Sequence, residues 1–103
     1  MQDKQSIINT IIHVLMHHQY VVRASLFGSL ARGDFTDESD VDLLVEFDET
    51  RPIGFYAFSL DLALEAAVGR KVDVVQEKLM YDFIKENIAE DLELIYERSK
   101  FLD

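Results

Sequence analysis

Residues 26–45 read LFGSLARGDFTDESDVDLLV, and the organisation of the chain can be worked outward from them. The β-branched and aromatic run of residues 20–27 breaks at Gly28, which predicts a strand entering a tight turn. Residues 29–32 have room for one helical turn, and the polar residues 33–39 predict a surface loop. Residues 40–47 alternate acid and aliphatic before turning apolar, so a second strand is expected with Asp40, Asp42, Leu44 and Glu46 on one face. At the strand-to-helix turn, Gly28 and Ser29 leave backbone N–H groups pointing outward where another molecule can approach the main chain closely. That makes an anion site, to which the Ser29 hydroxyl adds a hydrogen bond and Arg32, one turn on, a planar cation. Asp40 and Asp42, with Cα atoms about 6.6 Å apart on one strand face, are placed to clasp a hard cation. Mg²⁺ is the natural occupant, being held by one or two carboxylates together with substrate phosphates and water.

On either side, helices alternate with strands. Residues 3–18 carry Ile8, Ile11, Ile12 and Leu15 at helical spacing, with Asp3 or Ser6 as the cap. A long helix is expected over 52–68, opened by Pro52 and stopped by Gly69. Residues 71–76 read as a third strand, with Asp73 on the face opposite Val72 and Val74. A helix follows over 79–90, and Leu94, Ile95 and Tyr96 favour a last strand over 92–97. The expected fold is α/β (α+β): one small mixed sheet flanked by helices, in a single domain spanning 1–103. If the strands bearing Asp42 and Asp73 are neighbours with matching faces, Asp73 completes a three-carboxylate cluster. Such a cluster can hold two metal ions about 3.5–4 Å apart, lower a nucleophile's pKa and stabilise a leaving pyrophosphate.

Composition narrows the partners. Twenty Asp and Glu against ten Lys and Arg leave a net charge of −10, which disfavours direct DNA or RNA binding because phosphate backbones attract cations. No cysteine is present, so there is neither disulfide nor thiolate metal site, in keeping with a cytoplasmic location. The longest apolar run, residues 55–58, is far short of the ~20 residues of a membrane span, and no signal peptide is expected.

Each motif alone has a plain structural reading: Gly-Ser as a turn, Asp-Val-Asp as a polar strand edge, Asp73 as a solubility residue. A calcium loop starting at Asp34 fails, since its sixth position is Ser39 and its twelfth Val45. A Walker-type phosphate loop fails for want of Gly-Lys-Ser or Gly-Lys-Thr. The joint spacing is specific: Gly28-Ser29, ten residues, Asp40-Val41-Asp42, then a lone strand acid, Asp73. It resembles the GS-x10-DxD pattern and third acid of the nucleotidyltransferase superfamily, whose fold is shared with DNA polymerase beta. Gly28-Ser29-Leu30-Ala31-Arg32-Gly33, Ser39-Asp40-Val41-Asp42-Leu43-Leu44-Val45 and the terminal Leu-Ile-Tyr-Glu resemble minimal nucleotidyltransferases, the MNT proteins, over nearly the full chain. Many MNT proteins are antitoxins paired with a HEPN-domain ribonuclease toxin. The resemblance implies transfer of AMP from ATP onto such a toxin, and a Tyr, Ser or Thr hydroxyl near the toxin's active site is the expected acceptor. It also implies that Gly28 and Ser29 hold the triphosphate, Arg32 a phosphate, Asp40 and Asp42 two Mg²⁺ ions, and that Asp73 joins the metal site and acts on the acceptor hydroxyl. The core motif shows no departure from the family pattern, and the extra domain of larger members is not expected within residues 1–103. Two rival readings stay open: an antitoxin that neutralises by binding alone, as an oligomer with the toxin, and a nucleotidyltransferase acting on a small molecule.

Two further features have less specific meanings. His13 and His17, four apart, are expected to be solvent-facing groups at a helix end, with no acid or cysteine spaced to make them metal ligands. In the 52–68 helix, Phe55, Phe58, Leu62 and Ala66 form one apolar face that Tyr56, Leu60, Ala63, Leu64 and Ala67 widen, interrupted by Asp61 and Glu65. Such a wheel suits either deep burial or a partner surface.

Overall fold

In the computed structural model of the chain, which describes residues 2–50 and 54–98, Asp3 is the cap of the first helix. Its carboxylate accepts from the Ser6 N–H at 2.7 Å, satisfying one donor of the open first turn. This helix, α1 (Lys4–Leu15), buries Ile7, Ile8, Ile11 and Leu15, so Ile7 takes the place expected of Ile12, which is only partly covered. α1 ends three residues before the expected His18 because the histidines take over its last carbonyls. Nδ1 of His17 bonds the His13 carbonyl at 2.9 Å, and Nδ1 of His18 bonds that of Val14 at 2.8 Å. Meanwhile the His17 and His18 N–H groups tighten to three-residue turns on Val14 and Leu15.

The remaining elements are β1 (Val21–Phe27), α2 (Gly28–Arg32), β2 (Val41–Phe47), α3 (Gly54–Val68), β3 (Val72–Gln76), a 3₁₀ turn (Glu77–Leu79), α4 (Asp82–Ile88) and β4 (Glu93–Glu97). The strands form one mixed sheet in the order β3-β2-β1-β4. β2 and β3 are parallel and joined through α3, whereas β1 pairs antiparallel with both β2 and β4. A parallel neighbour needs such a crossover, and the length of the apolar helix between the two Val-rich strands supplies it. Ala24 and Leu26 of β1, Val41, Leu43 and Val45 of β2 and Val72 of β3 point into a core closed by α1 and α3. The opposite face carries Ser25 and Phe27 of β1, Asp42 and Leu44 of β2, and Asp73 of β3.

Each strand begins one residue later than expected, and one expected helix is divided. β2 begins at Val41, leaving Asp40 just ahead of the strand. The single helix expected over 79–90 is instead the 3₁₀ turn and α4, separated by extended backbone at Met80 and Tyr81. Pro52, expected to open α3, lies outside the described residues, as do the side chains of residues 54–57 and hence Phe55 and Tyr56 of the apolar wheel.

The described part of that wheel divides in two. Leu60, Leu64 and Val68 are sunk in the core, while Phe58 and Leu62 are 63% and 53% exposed. The interrupting acids face the outer edge of β3, where Glu65 Oε2 accepts from the Val72 N–H at 3.2 Å and Asp61 lies beside Val74.

Candidate active site

Strand register builds the site. Phe27 of β1 stands opposite Asp42 of β2, and Asp42 stands beside Asp73 of β3, so one row across three strands ends in two neighbouring carboxylates. Adjacent strands lie about 4.8 Å apart, within strong Coulombic reach for like charges. Asp40 precedes the strand, and its carboxylate lies 3.9 Å from Lys71 Nζ, which is also 3.6 Å from Asp73 Oδ1. The Asp42 carboxyl is pushed above its ordinary value, first by burial and then by the charges of Asp73 and Asp40, against the opposing pull of Arg32 and Lys71. A cation at this spot relieves a repulsion that the fold itself creates.

Gly28 follows Phe27 at once and adopts φ +74, a conformation that L side chains rarely take. A Cβ built there collides with the Asp42 carboxylate, with Cγ at 3.2 Å and an oxygen nearer still. The glycine therefore serves two ends: it turns the chain and makes room for Asp42. It also opens α2, whose cap Phe27 contributes no side-chain hydrogen bond, so the first-turn N–H groups remain available beside the acids. Arg32, expected as a phosphate ligand, ends that turn in ion pairs with Asp34 at 3.2 Å and Asp91 at 3.1 Å.

A cleft of about 700 Å³ runs from Asp42 and Asp73 along β3, lined also by Phe27, Asp61, Lys71, Leu79, Tyr81 and Ile84. The Asp61 carboxyl is raised by burial first, then by Glu65 and Asp73. A second depression of about 610 Å³, lined by residues such as Glu46, Asp48, Lys78 and Arg98, contains none of these acids.

The donor set suits a hard divalent cation, being carboxylate oxygens on neighbouring backbone positions. Among the described residues no three His, Cys, Asp or Glu are drawn tightly enough to hold one as they stand. The Lys71 ammonium is the cation that touches two of the acids. His13 and His17 are exposed, their rings 5.0 Å apart edge to face, and belong to the end of α1. Lys71 and Asp61 are site residues that the sequence motifs do not include. Lys71 was within reach, since it precedes Asp73 by two residues and so shares its side of the strand; Asp61 gave no sign beyond breaking an apolar wheel.

Residues 9–101 match the family model described as polymerase beta, nucleotidyltransferase. The chain belongs to that family. This nucleotidyltransferase is 42% identical over 82 residues to a Methanocaldococcus jannaschii protein named "putative protein adenylyltransferase", the match covering 76% of this chain and 81% of that protein. It is 29% identical over 92 residues to protein adenylyltransferase MntA of Thermococcus cleftensis, covering 89% of this chain and 92% of that one. Its fold is similar to a chain in the solved structure of a tri-AMPylated Shewanella oneidensis HEPN toxin in complex with MNT antitoxin. That likeness has a TM-score of 0.68 at 19% identity and covers 94% of this chain and 75% of that chain.

Proposed function

We propose that this nucleotidyltransferase is a cytoplasmic antitoxin that transfers AMP from ATP, with two Mg²⁺ ions, to a hydroxyl of a HEPN-domain ribonuclease toxin and so neutralises it. The observation that carries this reading is the register pair Asp42–Asp73 beside Gly28: two acids and a bare main-chain turn at one point of the sheet. The names of the archaeal relatives, both protein adenylyltransferases, support a protein acceptor.

In this reading the first-turn N–H groups at Gly28 and Ser29, with the Ser29 hydroxyl, bind the triphosphate. Arg32 exchanges one of its carboxylate partners, Asp34 or Asp91, for a phosphate oxygen, one charge-assisted bond replacing another. Asp40, Asp42 and Asp73 hold the metal ions, which when bound supply charge stabilisation for the attacking and leaving oxygens. Asp73 accepts the proton of the acceptor hydroxyl. The acceptor oxygen then bonds to the α-phosphorus as the α–β bridging bond breaks and pyrophosphate leaves. The docked partner positions its own hydroxyl in line, so positioning entropy is settled by complex formation before the chemical step. The net charge of −10 speeds encounter with a basic ribonuclease.

The test is intact-mass analysis of the purified partner after incubation with this protein, Mg²⁺ and each nucleoside triphosphate in turn, with fragmentation to map the adduct. The expected result is added AMP on a Tyr, Ser or Thr, lost with Asp42→Asn. Full neutralisation without an adduct, undiminished by Asp42→Asn, rejects transfer in favour of neutralisation by binding.

A further inference from the structure

The loop between α2 and β2 carries Asp40 and leads into Asp42; it is mostly polar and exposed, with Phe35 packed against the core. Its polar part is also held from the far end of α3. Gly69, at φ +80, turns the chain out of α3 and into Arg70 and Lys71. The Arg70 guanidinium donates through one Nη to the Thr36 carbonyl at 2.8 Å and the Ser39 carbonyl at 3.0 Å. It lies over the Phe35 ring at 5.8 Å, and its Nε donates to Gln2 Oε1 at 3.2 Å. Gln2 is itself anchored by a hydrogen bond from Nε2 to the Val68 carbonyl. The loop closes on itself between the same two residues, the Ser39 hydroxyl accepting from the Thr36 N–H at 2.8 Å and the Ser39 N–H donating to the Thr36 carbonyl at 3.1 Å. On the other side of Asp40, the Val41 N–H donates to the Lys71 carbonyl at 2.9 Å.

We infer that Arg70 is a positioning residue for the metal site: it fixes the two carbonyls that bracket the turn before Asp40, and through them the place of the Asp40 carboxylate relative to Asp42 and Asp73. This inference rests on the metal role proposed above for the three acids. Arg70 touches neither metal nor substrate. A planar guanidinium can donate to two carbonyls while stacking on a ring, which a lysine ammonium cannot do.

The experiment titrates Mn²⁺ alone into metal-depleted full-length protein, followed by the signal of free Mn²⁺, for wild type, Arg70→Gln, Arg70→Lys and Asp42→Asn. Outer residues that orient ligands typically tune metal affinity by ~10–100-fold. Both Arg70 variants are expected to weaken Mn²⁺ binding by about 10-fold or more, and in transfer assays to lower kcat and raise the Mg²⁺ needed for half-maximal rate while the KM for ATP moves less than about twofold. Charge alone predicts the reverse for Arg70→Gln, since removing a cation near an acidic site tightens cation binding. Arg70→Lys keeps the charge, and it carries the test if Arg70→Gln does not fold. Wild-type Mn²⁺ affinity in the folded Arg70 variants, with binding lost in Asp42→Asn, overturns the inference and leaves the metal site standing. Wild-type affinity in Asp42→Asn overturns the metal role and the inference with it.

Discussion

Replacing Gly28 by Ala separates two costs that one atom imposes. The first is conformational: at φ +74 a side chain costs roughly 1 kcal/mol relative to glycine. In a domain of this size that lowers the melting temperature by ~4–8 °C. The second is steric and local, because the new methyl carbon meets the Asp42 carboxylate. To regain an ordinary contact of about 3.5 Å, the nearest oxygen must retreat by on the order of 1 Å. Misplacing a reacting group by about 1 Å costs on the order of 100-fold in rate. Gly33 provides the internal control. It is equally left-handed at φ +89, but its added Cβ has nothing within 4 Å. Both variants should therefore lower the melting temperature by differential scanning calorimetry, Gly28→Ala by at least as much as Gly33→Ala, while only Gly28→Ala loses about two orders of magnitude of transfer measured by mass spectrometry of the partner. Equal activity in the two folded variants would refute the idea that the missing Cβ exists to seat Asp42.

Asp42→Asn should leave the fold intact and, without metal, raise its stability at pH 7. A carboxyl whose folded pKa lies above 3.8 favours the native state only below that pH, and the favour is lost as pH rises through the folded value. Urea unfolding in a chelator should show the variant ahead of wild type at pH 7, with the gap closing below about pH 3.8. Asp48 carries the opposite sign. Its carboxylate accepts from the Thr50 hydroxyl and N–H and from Arg98, which hold its pKa down to about 2. The stability it contributes is present above pH 3.8 and fades toward pH 2, so the deficit of Asp48→Asn should shrink across that window in acid titrations followed by circular dichroism.

Period-2 alternation was enough to put Asp42 and Asp73 on definable strand faces, because a half-buried strand records its faces in its sequence. Their adjacency was not legible, since pairing of β2 with β3 depends on the direction of the α3 crossover. The break at Met80 and Tyr81 was hidden for another reason: neither Gly nor Pro marks it, and the segment is drawn out alongside the sheet, where Leu79, Tyr81 and Ile84 line the cleft. The end of α1 was missed because imidazole rings do there what glycine usually does. Arg70 left no local trace at all, its contacts lying more than thirty positions away in sequence.

The carboxylates of Asp61 and Glu65 along β3 have a consequence for self-association. β3 is an outermost strand, and the N–H groups of Val72 and Val74 would be a template for a strand from another molecule. The Glu65 carboxylate of the molecule's own crossover helix takes the Val72 donor, and Asp61 of the same helix lies beside Val74. Any incoming strand would have to displace the Glu65 carboxylate, pass a second acid and approach a strongly negative molecule, which disfavours growth of the sheet along this Val-rich edge.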